Sequence, residues 1–135
     1  MGDVVERPVL DSDVLIDYLR GAGPGRDLIR ALIRTSGYRV TAVTAFELAL
    51  GRSYRRDPRS VHALLAAPVL TLSRTAGLRG GSLLRDLRTS GEAIDIRDAM
   101  QAGICLEAGV PLVTRNTSHF KRIPDLQLSH PAELL

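Results

Sequence analysis

The residues best able to do chemistry lie in VLDSDVLID, where Asp11, Asp13 and Asp17 fall within seven positions. The apolar residues before them, introduced by Pro8, read as a very short strand, and the aspartates enter a helical pattern directly after it. A carboxylate at a strand end is costly unless it is paired or liganded. In a parallel sheet the carboxyl edge is where open α/β folds place their ligands, so Asp11 stands at the mouth of a metal or phosphate site.

Polar residues recur where other strands give way to loops or helices: Glu47 after the second strand, Asp98 at the start of the helix before the fourth, and Asn116 after the fourth. With the first and fourth strands adjacent, three carboxylates and an amide share one cleft. Like charges ~4 Å apart cost roughly 1 kcal/mol in water and about four times that near a protein surface, so something positive must offset them. Oxygen ligands with no Cys or His pairing point to Mg²⁺ or Mn²⁺. Such an ion activates water and polarises a phosphoryl oxygen, which is the chemistry of a nuclease.

Each residue also has a plainer reading. Asp13 suits the N-cap of the first helix, and Thr44 with Glu47 makes a T-x-x-E capping box. Asp95 suits an N-cap, with Asp98 as its first-turn acid. Asp17 reads as a residue of the helix's outer face, solvated or paired with Arg20.

The elements that must position these residues alternate. Val14, Leu15, Tyr18 and Leu19 form one helical stripe ended by Gly21; after GAGPG, Leu28, Ile29, Leu32 and Ile33 repeat it, with Arg26, Arg30 and Arg34 on a solvated row. Tyr38 to Val43 reads as the second strand and Thr44 opens a third helix through Phe46, Leu48 and Leu50. An arginine-rich loop (Arg52, Arg55, Arg56) precedes a short helix from Arg59 to Ala66, a third strand from Val69 to Leu72, and a long helix from Arg74 to Thr89 with Leu78, Leu83, Leu84 and Leu87 inward. Gly80 and Gly81 in its middle each cost about 0.5 to 1 kcal/mol relative to alanine, which predicts close packing or a bend. A helix from Ile96 to Ala108 stops at Gly109, followed by a fourth strand from Val110 to Val113, the polar loop TRNTSHF and a final strand near Leu126 to Leu128. This order indicates a parallel sheet covered on both faces.

A chain of 135 residues with 44% apolar composition fits a single domain, 1–135. It holds no run as long as the ~18 apolar residues of a membrane span, and Asp3 and Glu6 do not suit a signal peptide, so a cytoplasmic protein is expected. The one cysteine, Cys105, is expected in the core. Of the basic residues all but Lys121 are arginine, and the net charge is +3. Guanidinium groups suit nucleic acid or an acidic protein partner, although GC-rich coding produces the same bias.

Taken together, VLDSDVLIDYLRG, TAVTAFELALG, GEAIDIRDAMQAG and LVTRNTSHF resemble, in order and over nearly the full length, the motifs of PIN-domain proteins, and more narrowly VapC-type toxins of prokaryotic toxin-antitoxin pairs. The resemblance implies an α/β/α domain with a five-stranded parallel sheet and Mg²⁺- or Mn²⁺-dependent endoribonuclease activity. It assigns the metal-binding acids to Asp11, Glu47 and Asp98, directly or through water, with Asn116 completing the site. It also implies self-association as a homodimer and neutralisation by a cognate VapB-type antitoxin in a higher-order complex.

The chain departs from the family at Asn116, where many PIN domains carry a fourth Asp; its carbonyl can ligate but brings no charge. Asp13 and Asp95 are extra acids that can compensate, and Thr114 and Ser118 are candidate supporting hydroxyls. Arg115, Lys121 and Arg122 are candidates to hold RNA phosphates, and His119 is a candidate substrate contact. Two other readings stand beside the nuclease. VLDSD also fits a haloacid-dehalogenase-like phosphatase, with Asp11 attacking and Asp13 as acid/base, although the downstream acidic pair is missing. The other is a catalytically weak module that binds RNA or antitoxin, with grooves beside the first two helices and the Arg52 to Arg59 loop as the expected seat of an antitoxin helix.

Overall fold

The computed structural model describes residues 7–135, so Asp3 and Glu6 lie outside the described residues. Its strands are two residues each: β1 (Val9–Leu10), β2 (Val40–Thr41), β3 (Val69–Leu70), β4 (Leu112–Val113) and β5 (Leu128–Ser129). Between them run α1 (Ser12–Arg20), α2 (Pro24–Ile33), α3 (Ala42–Leu50), α4 (Arg52–Arg56), α5 (Pro58–Leu65), α6 (Arg74–Thr89), α7 (Ile96–Ala108) and α8 (Thr117–Phe120), with a last 3₁₀ turn, Pro131–Leu134.

All pairings are parallel. The expected five-stranded sheet is instead a three-stranded sheet, β1-β4-β5, and a two-stranded sheet, β2-β3. One bridge, Val9 to Arg39, joins them, with the Leu10 amide donating to the Arg39 carbonyl at 3.0 Å. Strands this short leave no room for a continuous ladder across that junction. The side-chain alternation of a strand still sends successive residues to opposite faces. Leu10 and Val113 pack with Val14, Leu15, Leu28 and Ile29, while Val9 and Leu112 pack with Leu87, Ala102, Cys105 and Phe120. Helices therefore cover both faces, and Cys105 is buried as expected.

The boundaries of α6 and α7 coincide with the expected ones, because Ser73 and Asp95 cap their starts and Gly109, at φ 67°, stops α7. Elsewhere the helices encroach on expected strands and loops. α3 begins at Ala42, not Thr44, because the Thr41 hydroxyl accepts from the Thr44 amide at 3.1 Å and caps the helix there. The stretch Arg52–Arg56 and the segment Thr117–Phe120 are helical turns, not loops. Leu78 and Ile33 are exposed rather than inward, at 69% and 57%.

Gly80 explains the glycines of α6: a Cβ there would stand 2.7 Å from the Ala99 carbonyl oxygen of α7. Gly103 is its counterpart, where a Cβ would stand 2.5 Å from the Ala76 carbonyl oxygen. The two helices touch backbone to backbone, which sets the position of α7 and of the acid it carries. Gly81, by contrast, faces open space.

Candidate active site

Asp11 lies where β1 ends, its amide held by the Val113 carbonyl at 2.9 Å, so the β1-β4 pairing fixes its backbone. It caps α1, displacing Asp13 from the capping role expected for it. The Asp11 carboxyl is buried and takes three donors: the Ser12 amide at 2.9 Å and the Gln101 amide at 3.2 Å on Oδ1, and the Thr114 hydroxyl at 2.8 Å on Oδ2. Its pKa is raised to about 7, first by burial, then by the negative charge of Asp13, with Glu47 adding to it; the Thr114 and Ser12 hydrogen bonds pull the other way.

Asp13, in the first turn of α1, accepts from the Arg115 amide at 3.0 Å through Oδ2. Thr114 Oγ1 lies 3.3 Å from the same oxygen, but its one proton serves the shorter contact to Asp11. The other oxygen of Asp13, Oδ1, is buried and has no hydrogen-bond partner. Burial is the main reason its pKa is raised.

Glu47 is half-buried on α3, and Thr44 is inside the helix, so the T-x-x-E capping box does not form and Glu47 has no capping role. Its pKa is raised, chiefly by burial, with Asp98 and Asp95 raising it and Arg97 and Ser12 lowering it. Asp98 is half-buried in the first turn of α7, behind the Asp95 cap whose carboxylate accepts from the Arg97 amide at 2.8 Å. Its pKa too is raised by burial and then by Asp95, while His119 and Arg97 lower it and Asp13 adds a small increase.

Asp11, Asp13, Glu47 and Asp98 thus sense one another across the carboxyl edge, from three elements distant in the chain. They gather without closing: among the described residues no three His, Cys, Asp or Glu side chains meet as a ready metal cage. Mg²⁺ takes oxygen ligands and keeps several of its waters. The donor set is all oxygen, and the partnerless buried oxygen of Asp13 is a negative group in want of a cation. The residues fit the ion.

Asn116 caps the short α8 and is exposed; its amide nitrogen on the backbone donates to Thr114 Oγ1 at 3.1 Å, and its side chain makes no capping bond. Thr114 is fully buried and supports Asp11 as anticipated, whereas Ser118 is exposed. Of the arginines expected to hold phosphates, Arg115 is engaged: its guanidinium lies 2.6 Å from Asp17. Arg122 donates to the Ala93 carbonyl at 3.3 Å, and Lys121 is exposed.

Asp17 itself is a correction. It is buried, not solvated, and it pairs with Arg115 rather than Arg20. Its second oxygen accepts from the Gly25 amide at 2.9 Å. The available signal was the loop GAGPG: a Cβ at Gly23 would stand 2.5 Å from Asp17 Oδ2, and one at Gly25 2.6 Å from the Val14 carbonyl oxygen. Gln101 was also missed. It is a buried amide one turn beyond Asp98, beside the small residues Ala102 and Gly103.

Parallel strands covered by helices on both faces, with acids at the carboxyl edge, define an α/β class of fold, and the chain belongs to the PIN-domain family, whose model matches residues 9–126. Among curated proteins it is similar to Ribonuclease VapC19 of Mycobacterium tuberculosis, 32% identical over 122 residues that cover 88% of this chain and 96% of that protein. Ribonuclease VapC10 of the same organism is 29% identical over 120 residues, covering 88% of this chain and 90% of that protein. Among solved structures, the DNA-bound VapBC of Salmonella typhimurium superposes with a TM-score of 0.77 at 21% identity, covering 94% of this chain and 99% of that one. Family membership replaces the phosphatase reading of Asp11 and Asp13.

Proposed function

We propose that this chain is a metal-dependent endoribonuclease, the toxin of a VapBC-type toxin-antitoxin pair, acting in the cytoplasm as one PIN domain. The observation that carries the proposal is the placement of Asp11, Glu47 and Asp98, buried or half-buried at the end of β1, on α3 and in the first turn of α7, with the partnerless oxygen of Asp13 beside Asp11. Relatives bearing the name ribonuclease along nearly their whole length support the same reading.

In this reading Asp11 and Asp98 hold Mg²⁺ or Mn²⁺, Asp13 contributes its free oxygen, and Glu47 and Asn116 act directly or through water. The bound ion supplies charge for the phosphodiester and a more acidic water. Thr114 keeps Asp11 oriented, and the Arg115 amide keeps Asp13 turned toward the cleft. His119 on α8 lies near enough to Asp98 to lower its pKa, and Lys121 stands exposed at the end of the same helical turn, so both are placed to meet an RNA phosphate.

A groove of about 630 Å³ lined by Tyr18, Leu19, Arg20, Arg52, Ser53, Arg56, Asp57 and Ser60 is the proposed seat of the antitoxin. Three arginines against one aspartate suit an acidic amphipathic segment. The protein is proposed to self-associate as a homodimer within that complex.

The test is cleavage of total cellular RNA by the purified, antitoxin-free protein. Activity with Mg²⁺ or Mn²⁺ that disappears with a chelator and in Asp11→Asn and Asp98→Asn is expected. Wild-type cleavage by either variant would remove the assignment, and tight RNA binding without cleavage under any divalent ion would favour a binding module.

A further inference from the structure

Gln101 is fully buried on α7 and its amide is spent entirely on the other elements of the site. Its nitrogen donates to Asp11 Oδ1 at 3.2 Å and to Thr44 Oγ1 at 3.0 Å, and its carbonyl oxygen accepts from the Thr41 hydroxyl. Those contacts reach the end of β1, which carries Asp11, and the start of α3, which carries Glu47 three residues beyond Thr44. Gln101 itself sits one turn after Asp98.

We infer that Gln101 is a positioning residue that sets the relative placement of the three elements carrying Asp11, Glu47 and Asp98, so that they meet one divalent ion. Among the described residues the two hydrogens of this amide and its carbonyl have no other hydrogen-bond partner, and the neighbouring buried positions of α7, Ala99, Ala102 and Ile104, are apolar. A leucine or methionine would fill the same volume; only a group with both donors and an acceptor can hold the Asp11 carboxylate and the Thr41–Thr44 pair at once. Groups that orient a ligand's carboxylate are worth typically 10–100-fold in metal affinity.

This inference rests on the proposed metal site, and the experiment separates the two. Mn²⁺ alone is titrated into the antitoxin-free protein by calorimetry, with RNA cleavage and thermal melting measured in parallel, for wild type, Gln101→Met, Thr44→Val and Asp11→Asn. Gln101→Met is expected to weaken Mn²⁺ binding about 10–100-fold while leaving KM for RNA near wild type, with cleavage largely restored at high Mn²⁺. Thr44→Val, which removes one of the partners of Gln101 but keeps the Thr41 cap, is expected to weaken Mn²⁺ binding several-fold. A purely packing role would lower the melting temperature of both variants and leave the Mn²⁺ affinity unchanged, which would overturn the inference. If Gln101→Met does not fold, Thr44→Val decides by the same measure. Loss of Mn²⁺ binding in Asp11→Asn with wild-type affinity in the other two would refute the role of Gln101 alone; unchanged binding in Asp11→Asn would refute the metal site itself.

Discussion

The Arg115 guanidinium lies 2.6 Å from Asp17 Oδ1, an ion pair between a buried carboxylate of α1 and the loop that leaves β4. The same Arg115 donates its backbone amide to Asp13 in the site. The pair therefore ties the loop carrying Thr114 and Asn116 to the helix carrying Asp13.

Breaking that tie should cost both stability and activity. Arg115 is 43% exposed and can be rehydrated, so removing Asp17 costs less than the loss of a fully buried pair. Asp17→Ala is expected to destabilise by about 2 kcal/mol, a drop of roughly 5–10 °C in Tm. RNA cleavage should fall with it as Asp13 loosens. A melting curve superimposable on wild type would show that the pair contributes nothing.

The glycines of α6 and α7 should respond with opposite signs. Alanine at Gly80 or Gly103 must push against the backbone of the facing helix, so each is expected to destabilise by about 1–3 kcal/mol. Alanine at Gly81, which meets nothing within 4 Å, should stabilise by about 0.5–1 kcal/mol through helix propensity. Denaturant titration of the three variants checks the contrast; a Gly80→Ala protein as stable as Gly81→Ala would contradict the packing described.

Asp11 gives a pH dependence whose sign follows from its burial. Because its folded-state pKa is raised to about 7 from 3.8, the folded protein holds a proton there that the unfolded chain has lost. Metal-free stability from this group is therefore greatest below about pH 4 and declines as pH rises toward about 7. Measured against Asp11→Asn, wild type should lose stability over that window. A divalent ion must displace the proton, so Mg²⁺ affinity should rise with pH up to about 7 and level off. Calorimetric titrations at pH 5.5, 6.5 and 7.5 would show it; a pH-independent affinity would mean Asp11 is already ionised.

Asn116 offers a separable test of the departure from the family pattern. Its side chain is exposed and makes no capping bond, so Asn116→Ala should change Tm by less than about 0.5 kcal/mol in equivalent stability. Asn116→Asp adds a negative charge two residues beyond Thr114, whose hydroxyl holds Asp11, and is expected to tighten Mg²⁺ binding several-fold. Equal Mg²⁺ affinity across wild type, alanine and aspartate would place residue 116 outside the ion's reach.

Much of the fold could be read from local pattern. The bounds of α6 and α7 follow from Ser73, Asp95 and Gly109, whose capping is a matter of neighbouring residues. The positions of the candidate acids were legible in part: Asp11 stands where β1 meets α1 and Asp98 lies in the first turn of α7, whereas Glu47 is well inside α3. The two-residue strands were less legible, because β-branched runs such as Tyr38 to Val43 do not say where Thr41 will turn its hydroxyl back to cap a helix.

What the sequence by itself determined is the order of elements and the family motifs with the candidate acids they contain, each motif a local pattern of about a dozen residues. The tertiary structure decided which polar residues are buried and with whom. Asp17 lies at the margin of the stripe formed by Val14, Leu15 and Tyr18, and only the approach of Gly23, Gly25 and Arg115 turns it from a surface residue into a buried one. Gln101 reads as a polar interruption of the apolar side of its helix until β1 and α3 bring Asp11 and Thr44 to its amide. Partners separated by 57 to 98 residues leave no local signal, because their hydrogen bonds exist only once the sheet has set the distances.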